Sequence, residues 1–186
     1  MDHRSHEFGA VDPNDWGMLE MPTEGTGRLA VAQAGAVPFR LSRVASASGG
    51  AARRTGSGVQ VMLITNRRGE WGIPKGLVER GWTAEQTALN EAQEEAGVSG
   101  SLIGESLGAY RYEKDGRAFE VRVWGMLVTT VHTAWRERHR RQRRWVSVEQ
   151  AIGLLHRDDV AALVGLVAGL GEKLASATPM AKPGAA

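Results

Sequence analysis

A chain of 186 residues, 42% hydrophobic and 24% charged, has an ordinary soluble composition and enough length for one domain with a substantial core plus tails. A net charge of only +2 supports no global claim of nucleic-acid binding, so any such claim must rest on local clusters. The absence of cysteine excludes disulfides and thiolate metal sites and fits a reducing compartment.

Residues 1 to about 30 are polar, punctuated by Gly and Pro, and show no apolar run after a basic start. We expect a flexible or loosely docked arm without a secretory signal, and a cytoplasmic protein. The expected divisions are an arm over residues 1–32, a domain over 33–175 and a disordered tail over 176–186. Gln33–Leu41 reads as a first strand, with Pro38 implying an edge or a bulge. Residues 42–58 contain SASGGAARRTGSG, a flexible loop by composition. Val59–Thr65, VQVMLIT, is the clearest strand and is apolar enough to be buried on both faces. Asn66–Gly76 is then a loop.

The next segment, TAEQTALNEAQEEAG, reads as a helix. Thr83 can cap its start and Gln86 follows at the reciprocal capping-box spacing. Gly97 stands where helices commonly end in a left-handed residue. Ala84, Ala88, Ala92 and Ala96 form a small-residue stripe that allows close packing. Glu91, Glu94 and Glu95 share another face at i, i+3 and i+4. Like charges at that spacing cost about 0.2–0.5 kcal/mol per pair. The helix dipole also disfavours anions in the last turns. A hard divalent cation such as Mg²⁺ would remove both penalties, whereas a solvated acidic face is the plain alternative.

Downstream, Leu107–Tyr112, a KDG turn and Ala118–Val131 form an expected hairpin, with Gly125 a candidate bulge. His132 to Arg144 is basic and polar. A short strand follows, then a second capping-box spacing at Ser147 and Gln150 opening a helix over Val148–Leu155. A last helix is expected from about Arg157 to Ala175. Its apolar run, Val160 to Leu170, is too short to span a bilayer and reads as buried. On it Ala161, Gly165 and Gly169 form a small-residue stripe. Packing within the domain is the default explanation, and a homodimer contact the alternative. Strands and helices in this order, with one long helix in mid-chain, indicate an α/β fold with a mixed sheet between helices.

The stretch Gly76–Val98 resembles the box of the Nudix hydrolases: Gly, five residues, Glu, seven residues, then Arg-Glu-apolar-x-Glu-Glu-x-Gly-apolar. Gly76, Glu91, Ala92, Glu94, Glu95, Gly97 and Val98 match in register, while Trp82 and Asn90 replace the Glu and Arg that pair in the family. The resemblance implies an α/β/α sandwich with a mixed central sheet and the box as a loop-helix-loop. It further implies that Glu91, Glu94 and Glu95, with the backbone of Gly76, hold Mg²⁺ or Mn²⁺ and carry catalysis. A carboxylate outside the box is expected to add a ligand or the base, with Glu113, Glu120 and Glu137 as candidates. AGAVPFR, WGIPKG, LGAYRYEKDG and RRWVSVEQAIGLL are similar to the diphosphoinositol polyphosphate phosphohydrolase branch, whose members act on diphosphoinositol and diadenosine polyphosphates.

A highly phosphorylated substrate needs many cationic donors. Arg40, Arg67, Arg68, Lys75, Arg117 and Arg143, or its neighbour Arg144, are the candidates, each set against a solvated surface role. The run Trp135–Trp145 reads as a solvated loop, a phosphate clamp or an RNA contact. Trp71 and Trp82 flank the box, as packing residues or as a stacking platform for adenine. The expected function is metal-dependent cleavage of a pyrophosphate bond in a phosphorylated small molecule. The alternatives are a phospholigand-binding module that does not hydrolyse, and an RNA 5′-end pyrophosphohydrolase.

Overall fold

The structure, a computed structural model, describes residues 21–22, 29–42 and 58–177. The expected loop over 42–58, the tail after 177 and most of the N-terminal arm lie outside the described residues. Strand β1 (Met21–Pro22) pairs with the start of β2 (Leu29–Leu41), so the boundary expected at 32/33 falls inside a strand.

Strand β2 is the centre of the sheet. It runs parallel to β8 (Arg117–Val131), with Val31 beside Phe119 and Phe39 beside Leu127. On its other side it pairs antiparallel first with β5 (Lys75–Leu77), through Gln33–Gly35, and then with β3 (Val59–Thr65), through Phe39–Leu41. Pro38 is therefore not on an edge. It falls in the gap where the neighbour changes from β5 to β3, so its missing N–H interrupts no ladder. The remaining strands are β4 (Trp71–Gly72), β6 (Val98–Leu102), β7 (Gly108–Lys114) and β9 (Arg143–Ser147), giving a mixed sheet. Strands β4 and β9 pair with β3, and β6 and β7 with β8. Asn66–Gly76 is thus more ordered than expected, and Gly76 lies in a short strand.

Helices cover both faces, so the architecture is the expected α/β/α sandwich. On one face α1 (Ala84–Glu91) continues through a π-helical turn (Ala92–Ala96) and packs its alanines against Ala34, Ala36, Met62, Ile64 and Met126. Ala88, Ala92 and Ala96 are fully buried, because only methyl-sized side chains let this helix lie so close to the strands. On the other face α2 (Val148–Leu154) and α3 (Asp158–Ala177) cover Val37, Phe39, Val61, Leu63, Val121 and Val123. Each such side chain, fully buried, contributes about 1.5–3 kcal/mol.

Gly125 does not mark a bulge. The register of β6 on β8 shifts instead between Ser99 and Gly100, and a Cβ on Gly125 would lie 2.5 Å from Leu170 Cδ1. That glycine makes room for α3. Gly165 faces Ile152 of α2, so this part of the small-residue stripe serves packing within the domain. Helix α3 is longer than its apolar run and, by length and composition, is long enough to cross a membrane. What holds it in this fold is its docked stripe, Val160, Leu163, Val164 and Val167, on the sheet.

Candidate functional site

Both expected caps form. The Thr83 hydroxyl accepts from Gln86 N–H at 3.1 Å, and Gln86 Oε1 accepts from Thr83 N–H at 2.9 Å. At the far end Gly97 adopts φ +64, the left-handed conformation. The helix ends in a π turn rather than a regular α turn, and Glu94 and Glu95 sit in it. Such turns are rare and recur at functional sites.

The three box glutamates lie at this end in different surroundings. Glu91 packs on Gly76: a Cβ there would lie 2.0 Å from Glu91 Oε1. Glycine is the residue that lets strand β5 and the carboxylate share the space. Glu95 is buried; its Oε2 accepts from Lys75 N–H at 3.0 Å and its Oε1 pairs with Arg141. Glu94 pairs with Arg136 at 2.5 Å, and its carbonyl accepts from Glu137 N–H at 3.1 Å.

Partial burial, then the neighbouring Glu95, Glu94 and Glu137 charges, push the Glu91 carboxyl up to about 7, against the pull of Arg141. Burial also raises Glu95, opposed by Arg141 and the Lys75 N–H. The carboxylates are thus crowded enough to compete for protons. Arg136 and Arg141 draw Glu94 and Glu95 toward themselves. Among the described residues no acidic or histidine side chains already close around one point as a metal cage.

Segment 132–142 supplies those arginines. Arg141 donates to Glu137 at 2.5 Å and to the Thr65 carbonyl at 3.1 Å, in addition to Glu95. Glu137 is therefore the candidate outside the box that the fold brings to the site. Glu120 is instead paired with Arg111, and Glu113 is exposed on the hairpin. Sequence reasoning missed Arg136 and Arg141. The i, i+4 spacing of Glu137 and Arg141 was the available signal, although the pair lies in a turn.

The cationic candidates separate. Lys75 joins the glutamates, and its Nζ lies 3.4 Å from the Tyr112 hydroxyl, which donates to Gln33 Oε1 at 2.8 Å. Arg67 and Arg68 are exposed in the turn after Thr65, beside the Arg141 segment. Arg117 is exposed at the tip of the β7–β8 hairpin, next to Asp115 and Gly116 in left-handed conformations.

Arg40 is not brought to the glutamates. It bonds to Gln60, lies 4.4 Å from the Trp145 ring, and is about 17 Å along β2 from Gly35, which pairs with Lys75. Arg143 serves the helix end. It donates to the carbonyls of Ala96 (2.7 Å), Gly97 (3.0 Å) and His132 (2.7 Å), and stacks 3.8 Å from the Trp135 ring. The first two are orphan carbonyls of the helix terminus, so Nη1 is committed there. Arg144 is exposed. Trp71 is half-buried against the core, whereas Trp82 is exposed.

A family model, the NUDIX domain, matches residues 47–164. "Nudix hydrolase 16, mitochondrial" of Arabidopsis thaliana is 31% identical over 145 residues, which are 73% of this chain and 77% of that protein. "Nudix hydrolase 4" of the same plant is 36% identical over 96 residues, 50% of this chain and 46% of that protein. The chain thus spans about half the length of some of the curated relatives it matches. Among solved structures, a C. elegans Ap4A hydrolase is similar with a TM-score of 0.59 at 22% identity, over 76% of this chain and 99% of that one. A NUDIX-family hydrolase from Clostridium perfringens gives 0.57 at 12% identity, over 75% and 96%. At these identities the likeness is one of fold.

Proposed function

This chain belongs to the Nudix family, and from that premise we propose that it hydrolyses a phosphoric anhydride bond in a highly phosphorylated small molecule, a diphosphoinositol or diadenosine polyphosphate. The observation that carries the reading is the crowding of Glu91, Glu94, Glu95 and Glu137 at one helix end, with Glu91 lifted to about 7. Hard oxygen donors that repel one another suit Mg²⁺ or Mn²⁺, and Glu91, Glu94 and Glu95 beside Gly76 would hold it once Glu94 and Glu95 turn from their arginines. A divalent cation held there supplies Lewis acidity toward phosphoryl oxygens and a lowered pKa for bound water.

The chain's own groups do the rest. One of the three glutamates doubles as the general base. Lys75, with Arg67 and Arg68 at the neighbouring turn and Arg117 at the hairpin tip, offers cationic donors to a polyphosphate. Arg136 and Arg141, once released from the carboxylates, add two more.

A second reading draws on those same ion pairs. With Glu94 and Glu95 held by Arg136 and Arg141, the protein is a module that binds a phosphorylated ligand without cleaving it. Mg²⁺-dependent phosphate release on a panel separates the two. The panel holds a diphosphoinositol polyphosphate, a diadenosine polyphosphate and a 5′-triphosphorylated RNA; the name of the C. elegans neighbour motivates its diadenosine arm. Turnover of either small molecule is expected, with Glu94→Gln lowering it on the order of 10²–10⁴-fold in a folded protein. Binding without release, or full activity of that variant, overturns the hydrolase reading. Preference for the RNA overturns the substrate class.

A further inference from the structure

Beside the glutamate face, α1 carries a second stripe. Gln86, Asn90 and Gln93 stand at i, i+4 and i+7, so their side chains line one side of the helix and its π turn. That side opens on a cavity of about 580 Å³ between α1 and strands β6 and β8, within the size range of small-molecule sites. Trp82 and Asn90, the residues standing where the family box has a charged pair, both line it. Met126, fully buried, and Ser99 lie on the sheet side.

The lining has a definite chemistry. No charged side chain contributes to it, so the lining offers a phosphate, carboxylate or ammonium no counter-charge. Ser99 is bonded to His132 at 2.8 Å, and Gln86 Oε1 is used by the cap. Among the described residues, the Asn90 and Gln93 amides have no intramolecular partner. Each offers a donor and an acceptor on one planar edge. That pattern reads the adjacent donor and acceptor of a purine edge. Trp82, 42% exposed, offers an indole face on which a planar ring can stack.

We propose that this cavity is a binding site for an uncharged planar heterocycle, the base of a nucleoside, separate from the carboxylate site. The inference does not depend on the hydrolase reading, because it concerns binding on another side of the helix.

The test is titration of the full-length, ¹⁵N-labelled protein with adenosine in the absence of Mg²⁺, read at the Trp82 indole N–H, with calorimetry in parallel. A saturable shift is expected, with a Kd on the order of 0.1–1 mM for a ligand of this size. Ribose 5-phosphate, which lacks the base, is expected to leave the resonance unmoved. Trp82→Glu combined with Asn90→Arg places charges in the cavity and should weaken adenosine at least tenfold by calorimetry. If that variant does not fold, Gln93→Leu should weaken binding several-fold. An unmoved Trp82 resonance, an equal response to ribose 5-phosphate, or undiminished binding by the folded variants overturns the proposal.

Discussion

Gly76 and Glu91 show how one missing methyl group shapes the site. The carboxylate occupies the space that a Cβ at position 76 would need, at 2.0 Å from Oε1. Gly76→Ala should therefore displace Glu91 and cost about 1–3 kcal/mol through overpacking, measured by urea unfolding. A variant as stable as the parent and equally active would remove the steric role of this glycine. Glu91 itself makes stability depend on pH. Its carboxyl titrates near its ordinary 4.5 in the unfolded chain and near 7 when folded. Between those values the folded protein keeps a proton that the unfolded chain has released. The contribution of this group is therefore greatest below about 4.5 and declines as pH rises through 7. In chelator, Glu91→Gln should flatten the decline of the urea midpoint across that window. An unchanged slope would mean that Glu91 is not the titrating group.

At the scale of the element, α1 is built from both ends. The reciprocal Thr83–Gln86 cap fixes its start. Its end is closed from outside, by Arg143 on the carbonyls of Ala96 and Gly97 and by His132 N–H on the Gly97 carbonyl at 2.8 Å. Thr83→Ala should cost about 1 kcal/mol, as the loss of a cap does. It removes no group that touches the carboxylates, so turnover should survive once the fold is saturated, which thermal melts and assays on the same sample would check. A large loss of turnover at full folding would mean that helix entry sets the carboxylate geometry. Segment 132–142 is the complementary element. Its composition is that of a solvated basic loop, yet Arg136, Arg141 and the following Arg143 are committed to the helix end.

In the whole molecule these parts form one electrostatic unit closed by tertiary contacts. Arg141 ties Glu95 of the helix, Glu137 of its own segment and the Thr65 carbonyl of β3 together. Arg141 and Glu95 are both largely buried, so Arg141→Ala leaves carboxylates uncompensated. In chelator this should cost about 3–5 kcal/mol. Saturating Mg²⁺ should return part of that loss by mass action on the folded state. Denaturant curves of parent and variant with and without Mg²⁺ test this. An equal Mg²⁺ response in both would show that Arg141 and the ion do not share the carboxylates.

The sequence alone determined the local features. Capping boxes, the left-handed Gly97, the alanine stripe and the VQVMLIT strand are set by residue type within a few positions, and all stand as expected. The box register likewise placed three carboxylates and Gly76 in the same neighbourhood. The fold decided what depends on distant partners. Strand β6, VSGSL, has little intrinsic β preference and is a strand because β8 lies beside it. Pro38 is tolerated in the sheet interior because its neighbour changes there. Which arginines meet carboxylates and which close a helix was hidden because every one of them reads as a surface cation in the chain. Only the return of segment 132–142 to the end of α1 separates them, through burial and charge pairing that local residue patterns do not contain.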